Sequence, residues 1–355
     1  MLEVAVAGAM ALALLIFALA GGADFGGGMW TFVASRERAG REMQLVDRAI
    51  GPIWEANELW IVVAMVIMWS GFPSVFAVYG ISLFVPLVFV LVGIVLRGGL
   101  FALQEHAEFS HVRQAFVVFG RAFGAVSVIA PFFFGLAAGT IASGRLRFER
   151  QQEDAGFAVG RPVGGYFESW FGPFPIMVGF LAVVICLYLS ATYLTLEAED
   201  MPDLRDSYRR RGIATGAVLG LLGVAALPVM SFDAPYLWRG VLQFPAIAVL
   251  IAAALALISS LALLYTRRYW WARTAAITHV VGVFLVWAAA QYPYLLVPDI
   301  TISSAAAPSS VLVALLVLSF FYAAVLGPSL ALLLYIFKRH PSRVEDPART
   351  EAEGE

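Results

Sequence analysis

The chain alternates long apolar runs with short polar connections. Nine runs can cross a hydrocarbon core of about 30 Å at about 1.5 Å per residue. They lie near residues 4–34, 57–79, 80–104, 116–144, 171–195, 212–232, 241–265, 271–292 and 308–337. The runs are continuous and lack the period-two alternation of a barrel strand, so helices are predicted throughout. The second and third runs meet at Tyr79-Gly80, which predicts a tight helical hairpin there. The pattern gives an all-α integral membrane protein of nine transmembrane helices. It forms a single polytopic domain over residues 1–339, followed by a polar, disordered tail at 340–355.

Composition agrees. Of 355 residues, 61% are hydrophobic and 14% charged, with a mean hydropathy of +0.84, against about 25% charged in soluble domains. A net charge of −2 offers no electrostatic footprint for nucleic acid. Cys186 is the one cysteine, so no intrachain disulfide can form. The first run has no basic residues before it and is too long for a signal-peptide core, so it is read as a helix of the mature protein.

The arginines set an orientation. With the N-terminus outside, the inner connections hold Arg36, Arg38, Arg41, Arg48, Arg113, Arg205, Arg209 to Arg211, Arg267, Arg268 and Arg273, and the tail adds Lys338, Arg339, Arg343 and Arg349. The outer connections hold Arg145, Arg147, Arg150, Arg161 and Arg239. This positive-inside bias predicts N-out, C-in and a cytoplasmic tail. The longest outer loop is 145–170, turn-rich at Gly160 to Gly165. No repeat of 20–50 residues is evident. Glycines 26–28 and 98–99 suit close helix approach.

Candidate chemistry centres on Ile53 to Trp60, where two tryptophans, two carboxylates and an amide open the second run. Trp54, Asn57 and Glu58 share one side of a helix, with Glu55 about 100° round. An interfacial anchor explains this group, since Trp belongs at headgroup level and Glu favours a helix N-terminus. A proton pathway explains it too. By depth, Asp24, Glu55, Glu58, Arg97 and Arg121 share the inner third of the membrane. They are either snorkelling interface charges or a hydrated polar cluster that admits protons from the cytoplasm.

Histidine tests for a cofactor. His106 and His111 follow the third run, His340 is in the tail, and His279 alone falls inside a run. Haem held on two histidines would need a second one at matching depth. His279 is read as a hydrogen-bonded packing residue, with a metal or haem ligand as the alternative. No metal-binding spacing occurs, so no metal is expected.

The segment Ala49-Ile50-Gly51-Pro52-Ile53-Trp54-Glu55-Ala56-Asn57-Glu58-Leu59-Trp60 resembles the start of the second helix in subunit II of cytochrome bd-type quinol oxidases. Asp24-Phe25-Gly26-Gly27-Gly28-Met29 is similar to that family's Asp-x-Gly-x-Gly-Met. Phe72-Pro73, Leu96-Arg97-Gly98 with Phe101, Ala191-Thr192-Tyr193-Leu194, and Tyr292-Pro293 with Pro298 and Ala307-Pro308-Ser309-Ser310 follow in the family's order. The chain departs from the family at Gly21 and Ala102, where carboxylates are usual, at Gln104, where a basic residue is usual, and at Glu55, where aspartate is usual.

The resemblance implies nine helices, as two four-helix bundles plus one additional helix, in a bacterial or archaeal cell membrane. It implies a haem-free subunit that supports a haem-bearing subunit I, the holder of haem b and haem d. The complex oxidises quinol and reduces dioxygen to water with cytoplasmic protons. On this likeness Glu55 would relay protons, Asp24 and Glu58 would tune the path, Asn57 and Trp54 would orient it, and Arg97 and Arg121 would balance its charge. Small accessory subunits and bound lipid or quinone are further expected partners. The losses at Gly21 and Ala102 favour a purely structural subunit as the alternative. A secondary transporter is the other, given Pro73, Pro86, Pro131 and Pro328 in the runs.

Overall fold

The computed structural model describes residues 1–34, 38–50, 54–109, 113–149, 161–163 and 167–339. Several side chains within the helices, including those of Glu55, His106 and Arg113, lie outside the described set, as do His111 and His340.

Fourteen helices and four short strands are found among the described residues. The first half holds α1 (Leu2–Phe32), α2 (Ala39–Ile50), α3 (Trp54–Gly71), α4 (Pro73–Ser82), α5 (Phe84–Phe109), α6 (Arg113–Val126) and α7 (Ile129–Ser143). Strands β1 (Arg147–Glu149) and β2 (Arg161–Val163) pair antiparallel in the connection to the second half. That half holds α8 (Pro173–Glu197), α9 (Pro202–Asp233), α10 (Pro235–Val241), α11 (Ala246–Tyr265) and α12 (Tyr269–Gln291). The antiparallel pair β3 (Tyr294–Leu296) and β4 (Ile300–Thr301), then α13 (Ile302–Ala305) and α14 (Ser309–Arg339), complete it.

Eight helical segments are long and apolar enough to cross a membrane, and the bent pair α3–α4 makes a ninth. Helices α1, α3, α5 and α6–α7 pack as one bundle, and α8, α9, α11 and α12 as another. The bundles meet where α8 packs on α1 and α7, while α14 lies outside against α1 and α3. Its rings Phe320 and Phe321 are exposed, as expected of side chains that face lipid.

Two expected boundaries move. The turn predicted at Tyr79-Gly80 lies earlier: α3 ends at Gly71 and the chain bends by 118° into α4. Pro73 causes this, because it takes the first position of α4, where its missing N–H costs nothing, and cannot continue α3. It therefore starts a helix and does not interrupt one. The run at 116–144 is divided at Ser127-Val128 into α6 and α7.

Glycine sets how closely α1 packs. A Cβ on Gly26 would collide with the Cys186 backbone carbonyl of α8, and one on Gly28 with the Ser127 hydroxyl at the α6–α7 break. The Thr31 hydroxyl lies 2.7 Å from both the Gly28 and the Gly120 carbonyl and donates its one hydrogen to either. The Gly26 to Gly28 run thus fits α1 between the bundles, as small residues do where helices approach without a hydrophobic drive.

Candidate ion-pair site at one end of the first bundle

Asp24 and Arg97 form an ion pair between α1 and α5, with side chains only 3% and 1% exposed. The Arg97 guanidinium lies over the Phe25 ring at 4.6 Å and the Phe123 ring at 5.0 Å. Phe123 packs on Phe101 (5.7 Å between centroids), and Phe101 on Trp54 (5.4 Å). The Trp54 ring also lies beside Gly98, where a Cβ would make ordinary van der Waals contact with it at 3.6 Å. Rings from α1 and α6 therefore cover the guanidinium, and Phe101 of α5 and Trp54 of α3 extend that aromatic layer. A lone charge at this depth would be very costly, so each member of the pair depends on the other.

The other expected site residues lie on α3 and α6. Asn57 is buried on α3, and its Nδ2 has no hydrogen-bond partner among the described residues. Glu58 is half-buried on the same helix. Glu55 belongs to the first turn of α3, but its side chain lies outside the described residues. Arg121 on α6 is half-buried, and its Nε has no hydrogen-bond partner among the described residues. Gly21, where the family has a carboxylate, is buried on α1 one turn before Asp24, whereas Ala102 is exposed on α5. His279 is buried, and its Nδ1 lies 2.9 Å from the Ala253 carbonyl of α11, so it ties α12 to α11. Among the described residues no group of three potential ligands is placed to hold a metal.

A second set of pairs was not foreseen in the sequence. Arg211 of α9 donates two hydrogen bonds to Glu42 of α2, at 2.7 and 3.0 Å, and Glu42 is 1% exposed. The Arg211 guanidinium lies over Trp30 (5.1 Å) and Tyr208 (4.9 Å). Trp30 in turn donates its indole N–H to Ser190 and to the Leu187 carbonyl of α8. Arg41 binds Asp203 through both nitrogens, at 3.0 and 2.9 Å. Arg48 does the same to Asp200, both at 3.1 Å, and also bonds the Glu197 carbonyl. The Arg48 guanidinium holds the Asp200 carboxyl below the usual carboxylate range. Helix α2 buries Ala39, Met43, Leu45 and Val46 and is clamped to the second bundle by three arginine–carboxylate pairs. The apolar spacing Ala39, Met43, Val46 was the available signal, in a stretch otherwise read only as a basic loop.

Residues 2–337 match the family described as cytochrome bd terminal oxidase subunit II. The chain is 27% identical over 239 residues to cytochrome bd ubiquinol oxidase subunit 2 of Bacillus subtilis, covering 65% of this chain and 63% of that protein. It is 25% identical over 183 residues to cytochrome bd-I ubiquinol oxidase subunit 2 of Escherichia coli K12, covering 52% and 45%. The chain thus spans less than two thirds of the length of these two relatives. The fold matches a chain in the structure of bd oxidase from Geobacillus thermodenitrificans, with a TM-score of 0.74, 23% identity, and 95% and 98% of the two chains covered. With the family match running over nearly the whole chain, the chain belongs to the cytochrome bd terminal oxidase subunit II family.

Proposed function

We propose that this chain is the haem-free subunit II of a cytochrome bd-type quinol oxidase in the bacterial cell membrane. It encloses a subunit I that carries haem b and haem d, in a complex that oxidises quinol and reduces dioxygen to water. Its N-terminus faces outward and its C-terminus the cytoplasm, so the α2 end is cytoplasmic; the arginine distribution supports this orientation. The observation that supports the reading is that two of the resembling motifs meet in the Asp24–Arg97 pair, while the Trp54 of a third packs on Phe101, four residues after Arg97.

That pair also assigns roles. Asp24, paired with Arg97 beside the Phe25 and Phe123 rings, tunes the path rather than relaying protons. Proton uptake then falls to Glu55 and Glu58 on the first turns of α3, with Asn57 and Trp54 orienting that helix end and Arg121 adding positive charge nearby. Glu55→Gln removes the titrating group and should lower quinol oxidase turnover. Proton-transfer groups are typically worth about 10²–10⁴-fold, and Glu55→Asp should keep most activity. Turnover is compared at equal haem content. An unchanged rate in an assembled Glu55→Gln complex would favour the second reading, a structural subunit without a proton path. The absence of carboxylates at Gly21 and Ala102 supports that reading.

Two further measurements bear on the division of labour. The chain expressed alone should show no Soret band, and a stoichiometric haem lost on His279→Ala would contradict the assignment. An impermeant thiol reagent should label a cysteine at Gln151 in intact cells and one at Gln44 only in opened cells; the reverse pattern would invert the topology.

A further inference from the structure

We infer that the turn between α11 and α12, together with the first turns of α9, binds the phosphate of an anionic phospholipid headgroup. Three arginines converge here on one carboxylate. Asp206 of α9 is 2.9 Å from Arg209 Nε, 3.5 Å from Arg210 Nε and 3.6 Å from Arg267 Nη2. Arg209, whose side chain is mostly buried, donates the hydrogen bond to Asp206. The side chains of Arg210 and Arg267 remain about two-thirds exposed, at 68% and 67%. Arg268 is exposed and has no ion pair among the described residues. The excess of positive charge differs from the α2 clamp, where Arg41, Arg48 and Arg211 each have a carboxylate of their own.

Neighbouring arginines are committed elsewhere. Arg205 lies over Tyr269 at 4.4 Å and bonds the Thr195 carbonyl, and Arg273 lies over Tyr193 at 4.4 Å. The uncommitted ones are held at the tip of a short turn. Arg267 has φ of 61°, a conformation that favours glycine, and the next N–H, of Arg268, closes the turn on the Leu263 carbonyl at 2.8 Å. The turn thus carries two consecutive cations where glycine would cost less.

The surroundings select among sources of phosphate. Tyr265, Trp270 and Trp271 are exposed beside the turn, and such rings belong at the headgroup level of a bilayer. A guanidinium fork matches a phosphate diester, and the rings would lie along the glycerol and upper acyl region. A free phosphate would use the arginines and leave the rings in water. The inference needs only that the chain spans a membrane, so it stands apart from the oxidase reading.

The test uses the full-length protein as purified from membranes, with any subunits that accompany it, stripped of lipid and titrated with phosphatidylglycerol or phosphatidylcholine, with bound lipid counted by native mass spectrometry. The parent should prefer phosphatidylglycerol. The preference should fall about five-fold per arginine removed in Arg210→Gln, Arg267→Asn and Arg268→Gln. Arg268→Gln alone breaks no ion pair among the described residues and gives a readout if the triple variant misfolds. Arg239→Gln on α10, at the other end of the helices, should keep the parent preference. Equal loss in Arg239→Gln, or an unchanged preference in Arg268→Gln and the triple variant, would overturn the site. So would full displacement of phosphatidylglycerol by equimolar inorganic phosphate.

Discussion

Arginine meets carboxylate in two settings in this chain. Asp24–Arg97 is sealed among aromatic rings inside the first bundle, whereas Arg41–Asp203 and Arg48–Asp200 lie at the edge of α2 with side chains about half exposed. The chemistry is the same, but the environment reverses what each does. Water screens the edge pairs, which are worth roughly 0–1 kcal/mol each, so they position α2 more than they stabilise it. The buried pair gains little over an apolar replacement, yet neither member can be removed alone. Glu42–Arg211 falls between, with its carboxylate buried and its arginine partly exposed.

The sharpest way to break this contrast is Arg97→Met, which leaves Asp24 buried and unpaired. We expect a loss of about 3–5 kcal/mol, read as a lower thermal midpoint and less assembled complex. Asp24→Leu with Arg97→Met should recover most of that loss. If Arg97→Met behaves like an edge variant, water reaches the pair and the comparison fails.

Packing gives the next largest effect. Gly26→Ala places a Cβ against the Cys186 backbone, which no rotamer change can relieve, and should cost about 1–3 kcal/mol as overpacking. Gly40→Ala on α2 meets nothing within 4 Å and should be neutral or stabilising by up to about 1 kcal/mol. Thermal midpoints of the two variants, measured side by side, should move in opposite directions.

The smallest effect is Arg48→Gln. The Asp200 carboxyl is held below its unfolded value by Arg48, so the pair's contribution is present above about pH 4 and is lost as pH falls through the lower folded value. Parent and variant should differ by less than about 1 kcal/mol at pH 7 and converge in acid. The gap should also shrink in high salt. Amide exchange along α2 would follow it, and a gap that persists in acid would show that Arg48 acts through something other than Asp200.

Much of this was legible in the sequence, for physical reasons. Hydrocarbon thickness fixes run length, so the spans stand out, and the direction of each run puts Asp24, Glu55, Glu58, Arg97 and Arg121 at one depth. Depth alone could not choose between Arg97 and Arg121, because that choice depends on helix rotation. The bend after Gly71 was hidden by an apolar run that continues through it, although Pro73 was the local clue. The α2 clamp was hidden differently: Glu42 and Arg211 are 169 residues apart, and no local pattern encodes such a pairing. The Glu55 side chain lies outside the described residues, so its role rests on the mutant tests.

The clamp on α2 also has a consequence in time. Its partners are 152 to 169 residues further along the chain, and synthesis proceeds at about 5–20 residues per second. For roughly 10–30 s α2 has been made while Asp200, Asp203 and Arg211 have not. During that interval its arginines face water and headgroups, and Glu42 has no Arg211 to accept from. The membrane surface must hold this amphipathic helix until the second bundle arrives. The order of synthesis therefore closes the α2 clamp after the first half of the chain has been made and before α11, α12 and α14 are added.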